Sequence, residues 1–281
     1  MIRFGPSGNC DSFYKEGNKQ SLQAPAWLKN KGLTAYEYSF TRGVNIGEPL
    51  AKALGEEAQK NGVEISVHAP YYINFAGTDE VLLEKSYGYI LQSLKYLKLM
   101  GGHRCVFHPG TEGKLSRPEA IKLLNERTKE LIKRVKAAGF TDIYLCPETM
   151  GKHAQLGTYE EIAKLCTIDP ILLPAVDFGH INCYGLGFLK TEADYKKVID
   201  CFINKIGLER TKKMHIHFSK IEYGAKGEIR HLTFADKIYG PEFAPLAKVI
   251  KKYGMEPVII CESDGTQAED ALAMKNIYGG I

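Results

Sequence analysis

Short apolar runs recur along the chain and are separated by longer amphipathic segments. The runs are four to six residues long and rich in Val, Ile, Phe and Tyr, which is typical of buried β-strands. There are eight of them: Ile2–Pro6, Ala35–Phe40, Glu64–Ala69, Cys105–His108, Ile143–Pro147, Leu172–Asp177, Met214–Phe218 and Pro257–Cys261.

The segments between the runs have apolar residues at helical spacing and recognisable helix ends. Residues 49–62 end at Gly62, and residues 117–139 begin beside Pro118 and end at Gly139. Further helices are predicted over residues 81–102, 158–166, 191–207 and 241–254. Eight strand–helix repeats predict an α/β fold, a single (β/α)8 TIM barrel that occupies residues 1–281 as one domain. The first strand is not followed by GxGxxG or GxxxxGK[ST], which counts against an open doubly wound sheet.

Composition narrows the function classes only slightly. The 281 residues carry a formal net charge of +4, which suits a polyanionic partner without requiring one. The seven cysteines form no C-x-x-C pair, so a disulfide framework is not expected. No apolar stretch approaches the eighteen residues of a membrane span. We therefore expect a monomer in the cytoplasm that has no membrane partner.

Metal-binding residue types recur where the last six predicted strands end. In a (β/α)8 barrel these C-terminal strand ends form the active-site face. Carboxylates that gather there repel one another, and a divalent cation relieves the repulsion. Mixed His, Asp and Glu ligands suit zinc and, less selectively, manganese or iron. The candidate ligands are His68, His108, Glu148, Asp177, His180, His215, His231 and Glu262.

This set is larger than one tetrahedral zinc ion can use. Two or three ions bridged by a carboxylate would use it, and clustered ions favour phosphodiester hydrolysis because they stabilise both the attacking and the leaving oxygen. A single strand-end His is more often structural than a ligand, but recurrence on successive strands favours ligation. His217 shares strand parity with His215 and so could line the pocket, but it is expected instead to support the ligands. His103 and His153 lie away from strand ends and are expected to be surface or structural residues.

Six short motifs between His68 and Glu262 resemble those of a known protein family. They are HAPYYINFAG, FHPGTEG, PETMG, VDFGHINCYG, HIHFSK and CES. They resemble the strand-end motifs of the endonuclease IV family of apurinic/apyrimidinic DNA endonucleases, within the wider xylose-isomerase-like barrel group. The resemblance implies His68, His108, Glu148, Asp177, His180, His215 and Glu262 as zinc ligands, Glu148 as the bridging carboxylate, Tyr71 at the substrate and Lys220 as a neighbouring basic group.

The resemblance also implies an activity. Such enzymes carry three zinc ions and hydrolyse the phosphodiester 5′ to an abasic site. The expected partner is therefore double-stranded DNA with abasic or 3′-blocked lesions. Tyr71 and Tyr72 could contact that substrate, or they could cap the barrel mouth.

One segment departs from the family pattern. The family has an Asp-x-His pair after strand seven, whereas this chain has Glu228 three residues before His231. A third site would contain His180 and His231 together with Glu228, and Asp236 is the other candidate carboxylate. The polar segment 219–240 that carries these residues is expected to be a long irregular loop of functional importance.

Two other function classes remain open. A single-metal sugar isomerase or epimerase of the same barrel group would need only Glu148, Asp177, His215 and Glu262. It would have no use for His68 and His108, so their presence favours the nuclease. A non-enzymatic binder of nucleic acid or metal is disfavoured by the modest charge and the full ligand set.

Overall fold

Eight parallel strands close into a barrel in this structure, a computed structural model that describes residues 1–281. The barrel strands are β1 (Arg3–Pro6), β2 (Ala35–Ser39), β3 (Glu64–His68), β4 (Arg104–Phe107), β5 (Tyr144–Pro147), β6 (Ala175–Asp177), β7 (His215–Phe218) and β10 (Val258–Cys261). The ring runs β1–β2–β3–β4–β5–β6–β7–β10, and isolated parallel bridges join β1 to β2 and β5 to β6. The predicted (β/α)8 barrel is confirmed.

Helices and helical turns follow the strands and cover the outside of the barrel. They are α1 (Asp11–Lys15), α2 (Ala24–Asn30), α3 (Glu48–Asn61), α4 (Glu80–Leu99), α5 (Arg117–Ala137), α6 (Tyr159–Leu165), α7 (Phe178–Tyr184), α8 (Glu192–Ile206), α9 (Leu208–Thr211), α10 (Phe243–Lys252) and α11 (Gln267–Gly279). The six predicted helices correspond to α3, α4, α5, α6, α8 and α10. The short helices α1, α2, α7 and α9 and the C-terminal α11 were not predicted.

Local sequence sets several helix boundaries. The carboxylate of Asp79 accepts hydrogen bonds from the backbone N–H groups of Val81 and Leu82 and so caps α4. Thr158 and Glu161 form a capping box at the start of α6. Gly62 ends α3 with a φ of 68°, a left-handed conformation that glycine adopts without strain.

Apolar packing fills two separate layers. The larger cluster lies between the strands and the helices, while two small clusters lie apart from it and fill the barrel interior. The N-terminal end of the barrel is closed by Glu64, which pairs with Arg3 and Arg104. The C-terminal end is lined instead by buried polar residues, which is where the sequence predicts a site.

The segment after β7 is more regular than expected. The prediction of a long irregular loop over residues 219–240 is wrong in part, because β8 (Lys220–Gly224) and β9 (Gly227–Leu232) form an antiparallel hairpin there. Glycines flank the two-residue turn, which favours hairpin formation, but the polar side chains of these strands hide the alternation that would reveal them. No helix in the structure combines the length and the apolar character needed to cross a bilayer.

Candidate metal centre

The C-terminal ends of the barrel strands surround a polar cavity of about 410 Å³. In and directly beneath its walls lie three groups of potential ligands, each with nitrogen and oxygen atoms within 4.8 Å of one another. The first group is His68, His108 and Glu148; the second is Glu148, Asp177, His217 and Glu262; and the third is His180, Glu228 and His231.

Glu148 lies at the centre of this arrangement because its two carboxylate oxygens face different groups. Oε2 lies 3.1 Å from Nε2 of His68 and 3.2 Å from Nε2 of His108. Oε1 lies 2.8 Å from Nδ1 of His217 and 3.6 Å from Nδ1 of His180. The side chain is almost fully buried, so this one carboxylate is placed to bridge the first two groups.

Asp177 contributes a buried oxygen that has no hydrogen-bond partner. Its Oδ1 accepts a hydrogen bond from the backbone N–H of His180 at 2.9 Å and so caps α7. Its Oδ2 is buried and accepts no hydrogen bond, although Nδ1 of His180 lies 3.4 Å away, and its group also contains Glu148 and Glu262. A buried carboxylate oxygen without a hydrogen bond, beside two further carboxylates, is stabilised by a nearby cation, so these residues fit a bound divalent ion.

The third group depends on the hairpin. Oε2 of Glu228 lies 3.6 Å from Nε2 of His180, and Oε1 of Glu228 lies 4.0 Å from Nε2 of His231. The hairpin can approach this closely because glycines face each other: a Cβ on Gly227 would lie 2.1 Å from the carbonyl oxygen of Gly151. Of the two candidate carboxylates, Glu228 is the one in the group, because Asp236 instead accepts backbone hydrogen bonds within its own turn.

Two of the imidazoles are oriented by backbone carbonyls. Nδ1 of His68 donates to the carbonyl of Ala69 at 2.8 Å, and Nδ1 of His180 donates to the carbonyl of Thr149 at 2.9 Å. With Nδ1 as the donor, Nε2 is the nitrogen that faces the cavity and that can bind a cation once it carries no proton. This arrangement is typical of metal-binding histidines.

The electrostatics of the site reflect the crowding of charge. Burial disfavours the charged form of Glu148, but His217, His108 and His68 outweigh that effect and hold its pKa well below the usual range. Burial also opposes protonation of His180, yet the surrounding carboxylates raise its pKa to about 9. Burial raises the pKa of Glu262, and the nearby Glu148 acts in the same direction. Protons therefore occupy positions that a cation would otherwise take.

The structure exchanges the predicted positions of two histidines. We predicted His215 beside the carboxylates and His217 as its support, but His217 lies in the second group and His215 lies deeper in the barrel. The register explains the difference: His217 pairs with Asp177 at the end of β6, whereas His215 pairs with Ala175. Both side chains point inward, and only their depth decides which one lies beside Glu148.

Lys220 and Tyr71 occupy different environments. Lys220 was predicted to be a basic group at the site, but its Nζ donates to the carbonyl of Asp236 at 2.8 Å and pairs with Glu242 at 2.6 Å. It therefore holds the segment after the hairpin and does not line the cavity. Tyr71 does line it; the residue is 53% exposed, and its ring stacks on His108 with a centroid separation of 5.4 Å.

Several residues at or beneath the cavity were not recognised in the sequence. Lys152 and Gln155 line the cavity from the segment after β5. Glu37 on β2 is fully buried below it and contacts both His215 and His217. The signal for Glu37 was present in the run Ala35–Phe40, where a charged residue takes an inward-facing strand position.

Comparison with known proteins supports the same architecture. The profile of the xylose isomerase-like TIM barrel family matches residues 25–277. The chain is 33% identical to the uncharacterized protein MJ0133 of Methanocaldococcus jannaschii, over 98% of this chain and 96% of that protein. It is 30% identical to a probable endonuclease 4 of Staphylococcus carnosus, over 63% of this chain and 60% of that protein.

Solved structures with this fold include an endonuclease and an epimerase-like protein. Endonuclease IV from Thermus thermophilus superimposes with a TM-score of 0.68 at 21% identity, covering 99% of this chain and 98% of that one. A D-tagatose 3-epimerase-like protein gives a TM-score of 0.73 at 19% identity, covering 99% and 96%. The resemblance to endonuclease IV that the motifs indicated is confirmed, and the chain belongs to the xylose isomerase-like TIM barrel family.

Proposed function

We propose that this protein is a metal-dependent phosphodiesterase that incises double-stranded DNA 5′ to abasic sites and also processes 3′-blocked ends. The observation that carries this proposal is the position of Glu148 between two ligand groups, with His68 and His108 on one oxygen and His217 on the other. Relatives named probable endonuclease 4, at about 30% identity, support the same reaction class.

The ligand groups assign a task to each residue. His68, His108 and Glu148 would hold one ion, and Glu148, Asp177, His217 and Glu262 would hold a second. A third ion would be held by His180, Glu228 and His231. The mixture of imidazoles and carboxylates suits zinc, with manganese as a substitute. Such ions, when bound, activate water and stabilise charge on the oxygens of the scissile phosphodiester.

Other residues are placed to bind the substrate. The cavity opens into a polar groove of about 530 Å³, which shares Tyr71, His231 and Glu262 with it. Arg230 lines the groove and Lys152 lines the cavity, so both parts have a cation near the path of a phosphate backbone. The exposed face of Tyr71 offers a stacking surface beside His108.

The sugar isomerase remains the rival function. Its single metal would use Glu148, Asp177, His217 and Glu262, which already form a complete set of four. It leaves His68 and His108 unexplained, although both lie within 3.2 Å of Glu148. A single-metal reaction has no need for two additional buried or half-buried imidazoles on the same carboxylate, so the geometry favours several ions.

A reconstitution experiment tests the proposal. The protein is stripped with a chelator, reloaded with zinc or manganese, and incubated with an abasic duplex, the matched undamaged duplex, a duplex with a 3′-blocked nick, and a panel of ketoses. We expect two or three zinc ions per chain and incision of the abasic duplex that leaves a 3′-hydroxyl extendable by a polymerase. One ion per chain, intact DNA and ketose turnover would contradict the proposal and favour the isomerase.

Matched variants link that activity to the centre. His108→Ala should lower metal occupancy and abolish incision, since it removes a ligand of the first group. His103→Ala is the control, because His103 is exposed and contacts only the carbonyl of Asp142 at 3.2 Å. If the two variants cut DNA equally well, His108 is not part of the site.

A further inference from the structure

Glu37 occupies an unusual place, because it is a carboxylate buried inside the barrel below the proposed metal centre. It lies on β2 and has no exposed surface. Its Oε1 lies 3.0 Å from Nε2 of His217, and its Oε2 lies 3.0 Å from Nε2 of His215. Oε2 also accepts a hydrogen bond from the hydroxyl of Ser66 at 2.8 Å. Burying a charged carboxylate at such a position is unfavourable unless nearby groups pair with it, and the two imidazoles and the Ser66 hydroxyl are those groups.

His217 stands between this carboxylate and the centre above. Its Nδ1 lies 2.8 Å from Oε1 of Glu148, and its Nε2 faces Glu37 on the opposite side of the ring. Nε2 is buried and makes no aligned hydrogen bond, and Oε1 of Glu37, at 3.0 Å, is the only carboxylate oxygen within 4.0 Å of it. A neutral imidazole carries only one proton, so a proton held on Nε2 by Glu37 leaves the lone pair of Nδ1 free to bind a cation.

We propose that Glu37 is a positioning residue for the metal centre: it accepts the Nε2–H of His217 and fixes the ring so that Nδ1 faces the ion shared with Glu148, Asp177 and Glu262. This inference rests only on the part of the proposed function that places a metal in the second ligand group. It does not depend on the reaction or on the substrate.

The remaining contacts of Glu37 agree with this role. Ser66 donates a hydrogen bond to the second oxygen and Nε2 of His215 lies 3.0 Å from it, so rotation of the carboxylate away from His217 would lose both contacts. His215 contributes nothing to the cavity, since it is fully buried one layer below it. Its place beside Glu37 is explained if it holds the carboxylate; the alternative, an ion held by Glu37, His215 and His217 together, is one that the test below distinguishes.

Metal-binding titrations of the full-length chain test the proposal. In Glu37→Gln the side-chain shape is kept and the charge is lost. We expect the affinity of the second-group ion to fall by on the order of 10- to 100-fold, as is typical when a carboxylate that supports a ligating histidine is removed. Glu126→Gln on the exposed surface of α5 is the matched control, because it makes the same substitution far from the centre and should leave the affinity unchanged. Equal affinities in Glu37→Gln and wild type would overturn the proposal.

A second measurement on the wild-type protein does not depend on whether the variant folds. Nitrogen-15 NMR of the histidine rings in the zinc-loaded chain should show His217 with a proton on Nε2 and a metal-bound Nδ1. A proton on Nδ1 would overturn the proposal. The absence of a ring N–H on His217 would also overturn it, because both nitrogens would then be ligands and Glu37 would bind an ion itself. Wild type that binds no metal would defeat this inference together with the metal centre, whereas metal binding without DNA incision would defeat only the proposed reaction.

Discussion

Oε1 of Glu148 lies 2.8 Å from Nδ1 of His217, while Oε2 of the same carboxylate lies 3.1 Å from Nε2 of His68. This single side chain therefore links strands β3, β5 and β7 across the mouth of the barrel. A buried carboxylate between imidazoles is an effective bridge when cations are present and a source of coupled protonation when they are absent. Metal content and its dependence on pH should both respond to changes at this centre.

Replacing Glu148, the bridging carboxylate, should weaken ion binding at two positions at once. Glu148→Gln keeps the side-chain volume but removes the charge, so both the first and the second ligand group should bind their ions more weakly. We expect incision to fall by about 10³-fold or more, since metal assistance contributes several kcal/mol to such reactions. Elemental analysis and incision assays check this, with Glu126→Gln on the exposed surface of α5 as the control. A variant that retained full zinc content and rate would contradict the bridging role.

The close contact between Gly227 and Gly151 should affect ion binding in the third ligand group alone. Gly227 has a φ of 93°, and a Cβ there would lie 2.1 Å from the carbonyl oxygen of Gly151. Gly227→Ala should introduce about 1–3 kcal/mol of strain and displace the adjacent Glu228. We expect loss of the third ion while the other ions stay bound, measured by zinc stoichiometry and by the unfolding temperature.

Gly224→Ala in the same hairpin is the matched control. A Cβ at Gly224 would meet only the side chain of Ile229, at 3.4 Å. Its zinc content should equal that of wild type. If Gly227→Ala also retains every ion, the hairpin does not hold the third site.

Zinc affinity should depend strongly on pH. In the metal-free protein burial opposes protonation of His180, but Asp177, Glu148 and Glu228 raise its pKa to about 9. Because zinc must displace this proton, the apparent affinity is greatest above pH 9 and falls as the pH is lowered toward 7, by about tenfold per pH unit for each displaced proton. Competition titrations against a chelator of known proton affinity measure the slope. An affinity that does not change between pH 7 and 9 would show that His180 is already neutral.

Two lysines should behave in different ways. Lys152 lines the cavity, so Lys152→Met should weaken binding of abasic DNA and reduce its salt dependence by about one phosphate contact. Lys220→Met should instead lower the unfolding temperature, since the buried Lys220 ammonium holds Asp236 and Glu242. Binding isotherms at several salt concentrations and thermal unfolding separate the two effects. A loss of salt dependence in Lys220→Met would assign DNA contact to that residue.

The barrel was predictable because eight apolar runs alternate with helical segments, and this periodicity depends only on local sequence. The depth of each side chain within the barrel was not predictable, because it depends on how the strands pair. His215 and His217 both point inward, and their positions relative to the cavity follow from the pairing of β7 with β6. The role of Glu37 was not predictable for the same reason, because its contact with His217 joins strands that are distant in sequence. Lys220 was predicted from motif similarity, whereas its orientation is set by Glu242 on a different segment.

The most direct test of the central claim is an anomalous-scattering map at the zinc edge from crystals of the zinc-loaded protein. We predict separate peaks about 2.0–2.2 Å from their ligand atoms, one between His68, His108 and Glu148 and another between Glu148, Asp177, His217 and Glu262. A solitary peak that left both His68 and His108 without an ion would contradict the account.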